Sequence, residues 1–184
     1  MAQTWRVARS SSYRNQKPLD REALERLAIG YVGRFATTRA KLSAYLRRKL
    51  QERGWDGADA PPVAAIVERF AEAHYVDDRA FADARAASFT RRGYGPRRLA
   101  ERLRADGIDE EDSAAAREFA EAGEWDAALA FARRRRIGPF SVVPVDPDRQ
   151  RKALAAMLRA GHSMAIAQRI LRATADDVPD GISL

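Results

Sequence analysis

Six arginines fall within fourteen residues of this 184-residue chain: Arg91, Arg92, Arg97, Arg98, Arg102 and Arg104 surround a Gly93-Tyr94-Gly95 turn. A guanidinium is a planar fork of donors that can hold a phosphate or carboxylate at two points. The two glycines would let backbone come close to a bound partner. At 100° per residue on a helix, Leu99 and Leu103 point inward, Arg98 and Arg102 flank them on one side, and Arg97 and Arg104 on the other. The plainer reading is a solvated helix whose arginine stems cover the core edge; the density of the cluster favours a surface for anions. A second run, Arg133-Arg134-Arg135-Arg136, ends a helix, where positive charge complements the dipole. Four consecutive arginines cover every side of a helix, so some must face outward. Trp55, Tyr94 and Phe140 lie in or near loops, where aromatic rings more often anchor the loop than stack on bases.

Catalytic chemistry has little to work with. His74 has Asp77 and Asp78 close in sequence, so a metal site is conceivable; a histidine at a core edge followed by an acidic helix start is the simpler account. His162 stands alone after Gly161. No phosphate loop, dinucleotide fingerprint or nucleophile elbow is present. The expectation is a protein that is not an enzyme, with no catalytic residue, cofactor or metal.

The charge balance points to an anionic partner. Lysine and arginine total 33 against 26 acids, a net charge of +7, and 29 of the basic residues are arginine. A GC-rich genome explains that skew, since alanine is also abundant, but the donors are there whatever their origin. Nucleic acid, a membrane surface or an acidic protein face would all suit such a chain. The absence of cysteine agrees with a reducing, cytoplasmic location. No apolar run approaches the roughly 20 residues of a membrane span. Residues 1–17 hold Arg6, Arg9, Arg14 and Lys17 with no acid, and read as a flexible basic arm rather than a targeting peptide.

The elements that must carry these side chains are helical almost throughout. Leu24, Leu27, Ala28 and Tyr31 mark one helix face. Thr37 or Thr38 can cap the next helix, which carries Leu42, Leu46 and Leu50. Pro61 and Pro62 open a third, with Val63, Ile66, Val67 and Phe70 inward. A second triplet starts at Asp77-Asp78 with Phe81, Ala84, Ser88 and Phe89, continues from Pro96, and ends in a helix carrying Ala115 and Phe119. The third has Ala128, Leu129 and Ala132, an irregular loop at 137–148 with three prolines, then Leu154 and Leu158, then Ile166, Ile170 and Leu171. One phrase recurs: Leu42, Leu46 and Arg47; Leu99, Leu103 and Arg104; Leu154, Leu158 and Arg159. Its first leucines are 57 and 55 residues apart. A period of that size is how a stacked helical repeat is written. Stacking would align Arg47, Arg104 and Arg159 in a positive row. The expected layout is an arm at 1–17, three-helix repeats at 18–76, 77–123 and 124–177, and a frayed tail at 178–184.

The central segment resembles the RecX family, regulators of the RecA recombinase. The residues that carry the likeness are Tyr75-Val76-Asp77-Asp78, Phe81-Ala82, Arg91-Arg92-Gly93-Tyr94-Gly95, the Leu99 and Leu103 pair, and Gly107-Ile108. The first triplet fits well and the third more loosely, so the resemblance spans about three quarters of the chain. It implies an all-α protein of three tandem three-helix repeats forming an elongated, curved helical solenoid. It implies a regulator that lies in the groove of the RecA–single-stranded DNA filament and restrains ATPase, strand exchange and co-protease activity in repair and the SOS response. Single-stranded DNA, and duplex DNA weakly, would be further partners; no membrane is expected, and the chain is expected to be a monomer. The family offers no small set of functional residues. The candidates Arg47, Arg91, Arg92, Arg97, Arg98, Arg102, Arg104 and Arg159 therefore come from charge and spacing alone. Two other readings stay open: a tandem three-helix DNA-binding array, although Trp5, Trp55 and Trp125 lack that class's even spacing, and a helical scaffold for another acidic partner.

Overall fold

Helix signals in the sequence become helices in the places they mark. A computed structural model of the chain describes residues 17–142 and 146–174, and the basic arm expected at 1–17, apart from Lys17, and the tail at 178–184 lie outside them. Among the described residues there are nine α-helices: α1 (Arg21–Val32), α2 (Arg39–Arg53), α3 (Val63–Glu72), α4 (Asp78–Arg91), α5 (Pro96–Ala105), α6 (Glu110–Ala122), α7 (Glu124–Arg135), α8 (Pro147–Arg159) and α9 (Met164–Arg172). The only strand-like pairing described is one isolated bridge between Leu19 and Trp55. None of these helices is long and apolar enough to cross a membrane.

The chain divides into two compact units between Asp77 and Asp78. In the first, Asp20 caps α1 by accepting from the Ala23 amide, and Thr38, not Thr37, caps α2 through the Lys41 amide. Each such side chain satisfies an amide that the helix itself cannot. Leu24, Ala28, Leu42, Leu46, Val63, Ile66, Val67 and Phe70 form the core of α1–α3, closed by Leu19 and Val76. Glu25 and Arg69 join α1 to α3 at 3.0 Å.

The second unit holds two further clusters, one on α4–α6 and one on α7–α9. Asp109 caps α6, Pro96 begins α5 and Pro147 begins α8. The buried stripes of α4 and α6 differ from the sequence expectation. Ala82, Ala86 and Phe89 face inward on α4, where Ala84 is exposed and Phe81 and Ser88 are only half-buried. On α6 the inward residues are Ser113, Ala116 and Ala120, while Phe119 is 53% exposed. These two helices pack through alanines, which allow close approach. The expected Phe89 is buried, while Phe81, Ala115 and Phe119 were each one residue out of phase with the inward face.

A similar slip affects the third leucine pair. Gly107 and Gly161 both have positive φ (76° and 93°) just after α5 and α8. Each is followed by a buried residue, Ile108 or His162, and then by the cap of the next helix, Asp109 or Ser163. Counting back four residues from each glycine gives Leu103 in one repeat and Met157 in the other. Met157 is fully buried, whereas Leu154 and Leu158 are half-buried. The structural period here is 54 residues, and Arg104 matches Leu158, not Arg159. The irregular loop is also shorter than expected, with a 3₁₀ turn at Gly138–Phe140 and α8 already under way at Pro147.

Candidate nucleic-acid interface

All eight candidate arginines are exposed, and the seven in the second unit do not all line one groove. Arg92, Arg98 and Arg102 converge with Arg85, Phe89 and Glu101 on a groove of about 510 Å³ between α4 and α5. Arg91, Arg97 and Arg104 are not among the groove's lining residues. Arg47 belongs to the first unit, where it holds the same place on α2, nine residues after the cap, that Arg104 holds on α5. Arg159 contributes through its backbone: its carbonyl accepts from Arg98 Nη1 at 3.0 Å. A positive row linking Arg104 to Arg159 by equivalent position is thus corrected by the register of α8.

The groove's guanidinium groups are held in place before any ligand arrives. Two of them pack against the Tyr94 ring, Arg92 5.3 Å and Arg98 4.9 Å from its centroid. Arg85 sits 4.9 Å over Phe81. The buried carboxylate of Asp106 is shared by Arg102 at 3.1 Å and Arg85 at 3.8 Å. Four arginines against Asp106 and Glu101 leave the site net positive. Arginines already fixed in rotamer lose less freedom when they engage a phosphate or carboxylate. Arg85 was missed in sequence because it lies outside the dense cluster. Its signal was the spacing of Arg85 and Phe89, i and i+4 on α4, continued by Arg92 in the turn just after that helix.

The Gly93-Tyr94-Gly95 turn serves a different purpose from the one its glycines suggested. A Cβ on Gly93 would lie 2.7 Å from the Phe131 amide nitrogen, and one on Gly95 would lie 2.4 Å from the Gly161 carbonyl. The Gly95 amide donates to the Ala160 carbonyl, and the Arg97 amide to that of Gly161. The glycines therefore bring backbone against backbone inside the protein, joining α4–α6 to α7–α9. Arg134 ties the same seam by donating to the Arg92 carbonyl.

His162 fills the centre of this seam. It is fully buried, and its Nε2 donates to the Gly93 carbonyl at 3.2 Å, because a carbonyl can only accept. Its Nδ1 has no hydrogen-bond partner and lies 3.9 Å from Glu124 Oε1, which accepts from the Ser163 amide. Burial pushes its pKa below the ordinary histidine value, against smaller opposing effects from the Gly93 bond and Glu124. The folded protein thus takes up a proton on this ring at lower pH than the unfolded chain, which does so near pH 6.5. Stability should be level above about pH 7 and fall as pH drops through 6.5, because the unfolded chain then binds more protons than the folded one. Urea midpoints at pH 5.5, 6.5 and 7.5 would measure this, and His162→Ile, borrowing the residue at position 108, should flatten the profile. A wild-type profile as flat as the variant's would remove His162 as its origin.

His74 is not at a core edge. It follows α3 in the left-handed region (φ 57°), exposed, with its amide donating to Ala71. No cluster of three metal-ligating side chains occurs among the described residues.

Comparison with known proteins fits this architecture. Residues 77–116, which contain all four groove arginines, match the family model for the second three-helix domain of RecX. The chain is 33% identical over 158 residues to the regulatory protein RecX of Myxococcus xanthus, covering 80% of this chain and 83% of that one. It is 31% identical over 164 residues to the corresponding protein of Stenotrophomonas maltophilia, covering 89% and 94%. The crystal structure of RecX from Lactobacillus salivarius shares the fold, with a TM-score of 0.65 at 16% identity over 82% of this chain and 94% of that one. An all-α repeat fold, the arginine-bearing central triplet and similarity along most of its length agree: the chain belongs to the RecX family of regulatory proteins.

Proposed function

We propose that this protein binds the RecA–single-stranded DNA filament and restrains its ATP hydrolysis, strand exchange and co-protease activity, acting without catalysis of its own in DNA repair and the SOS response. In this reading it works in the cytoplasm as a monomer built of three tandem three-helix repeats. The observation that carries the reading is the groove of Arg85, Arg92, Arg98 and Arg102, held by Asp106 and Tyr94 within the segment that matches the family model. A filament repeats one surface at regular steps. A chain of linked helical units can meet successive steps with contacts that are individually weak, and the linkage multiplies their affinity. The basic groove adds attraction to DNA phosphate or to acidic protomer faces, and that part should weaken with salt.

The test is ATP hydrolysis by the cognate recombinase on single-stranded DNA, with this protein added well below one per protomer. Inhibition that deepens as salt is lowered is the expected result. Tight, sequence-selective duplex binding without inhibition would instead favour a DNA-binding array. If neither appears, a scaffold for another acidic partner takes its place.

A further inference from the structure

The four-arginine run at the end of α7 is divided in its work. Arg133 stacks over Phe140 at 5.1 Å, and Arg134 closes the seam on Arg92. Arg135 and Arg136 instead line a groove of about 400 Å³ in the α7–α9 cluster, together with Arg149 and Lys152 of α8. The less exposed residues of that groove, Ile137, Ala153, Ala156 and Leu171, are apolar. A volume of this size lies in the range of ligand-binding clefts.

Three observations together suggest an occupant. First, the described residues provide no acidic partner for Arg136, Arg149 or Lys152. Asp146 also lines the groove, but its carboxylate caps α8 through the Arg149 amide. Second, Arg136 occupies the left-handed region (φ 53°) at the C-terminus of α7, where glycine or asparagine is the usual choice. An arginine kept in a conformation that disfavours it points to a use for its side chain. Third, the lining has no aromatic ring on which a base could stack, so single-stranded nucleic acid finds cations here but no platform.

We infer that this groove binds a protein segment carrying one apolar side chain flanked by carboxylates. The apolar side chain would sit against Ile137, Ala153 and Leu171, with the carboxylates on Arg136, Arg149 and Lys152. The site lies in a different cluster from the arginine groove of α4 and α5, and its binding requires no recombinase, so the two assignments fail separately.

The test uses the full chain and a fluorescein-labelled nonapeptide of glutamates and aspartates around a central leucine, read by polarisation at low salt. Saturable binding tighter than about 1 mM is expected. Serine in place of the central leucine, or the variant Arg149→Glu/Lys152→Glu, should weaken it roughly tenfold. Arg136→Gly should weaken it about threefold while leaving the melting temperature unchanged or higher, because glycine suits that backbone. Arg92→Glu/Arg98→Glu should lose no more than the few-fold that the change in net charge costs at low salt. Equal binding of the serine peptide would reduce the site to bulk charge and overturn the assignment, as would the absence of saturable binding. A labelled oligothymidylate that binds more tightly and is lost in the same variants would make it a nucleic-acid site. Peptide binding that emerges only when residues 175–184 are deleted would assign the groove to the chain's own Asp176, Asp177 and Asp180, and the partner assignment would fall.

Discussion

Arg92→Glu/Arg98→Glu is expected to weaken binding to the recombinase filament on single-stranded DNA by roughly a hundredfold. Two charge-assisted contacts at about 1.5 kcal/mol each total about 3 kcal/mol, and each 1.4 kcal/mol is a factor of ten. These two positions are chosen on structural grounds. Reversing Arg102 would place a new carboxylate beside buried Asp106, 3.1 Å from the present guanidinium, and would confuse folding with binding. Arg92 is exposed, and it serves the seam through its carbonyl, not its side chain, while Arg98 gives up one exposed hydrogen bond to the Arg159 carbonyl, so the variant's melting temperature is measured alongside binding. The control is Arg91→Glu/Arg104→Glu, which changes net charge equally at exposed positions outside the groove. If recognition is local, the control loses only a few-fold, the part owed to long-range attraction, and that loss fades above about 0.15 M salt, where the Debye length is near 8 Å. Equal losses in both double variants would mean that net charge alone draws the protein to the filament, and the groove would have no special part. Titration of a labelled filament at two salt concentrations, with circular dichroism to confirm helicity, measures all of this.

How much could be read in advance depended on how local the signal was. Helix starts are local: Pro96 and the choice between Thr37 and Thr38 mark amides that no helix can satisfy, and the sequence displays them directly, whereas Pro147, which begins α8, reads in the sequence as part of the loop at 137–148. The faces of α4 and α6 were less visible. Their contact uses Ala82, Ala86, Ala116 and Ala120, and alanine is too common in this chain for its spacing to stand out against Phe81 and Phe119. The register of α8 was hidden for a related reason, since Leu154 and Leu158 imitate the earlier phrase while Met157 takes the buried place. At the candidate site, the cluster from Arg91 to Arg104 was plain, but its division was not. Which arginines meet depends on where Asp106, Tyr94 and Arg85 come to rest, and that is a property of three helices together.

Gly161→Ala should be among the most damaging single substitutions in the second unit. Its φ of 93° disfavours any side chain, at about 1–2 kcal/mol. Its Cβ would also fall 2.4 Å from the Arg98 amide nitrogen and 2.5 Å from the Arg98 Cβ. These atoms lie on or next to the Arg98 backbone, which leaves little room to yield, and overpacking of this kind costs about 1–3 kcal/mol more. The total of about 2–5 kcal/mol is a large share of an ordinary domain's 5–15 kcal/mol. Gly107 allows the two costs to be separated. It has the same position after α5 and a similar φ of 76°, but it is exposed. Gly107→Ala should show only the backbone cost, and the difference between the two variants measures the seam itself. Urea unfolding of both gives that difference, and near-equal losses would mean that Gly161 marks a helix end and nothing more. Under the proposed function the seam also matters, because the Arg98 side chain in the groove belongs to the residue that Gly161 touches and its guanidinium is held by the neighbouring Arg159 carbonyl. A loosened seam should therefore cost filament binding in Gly161→Ala even under conditions where the protein remains folded, and Gly107→Ala should bind as wild type does. In that case the α7–α9 cluster acts on the partner through the way it positions its neighbour's arginine, in addition to any surface of its own.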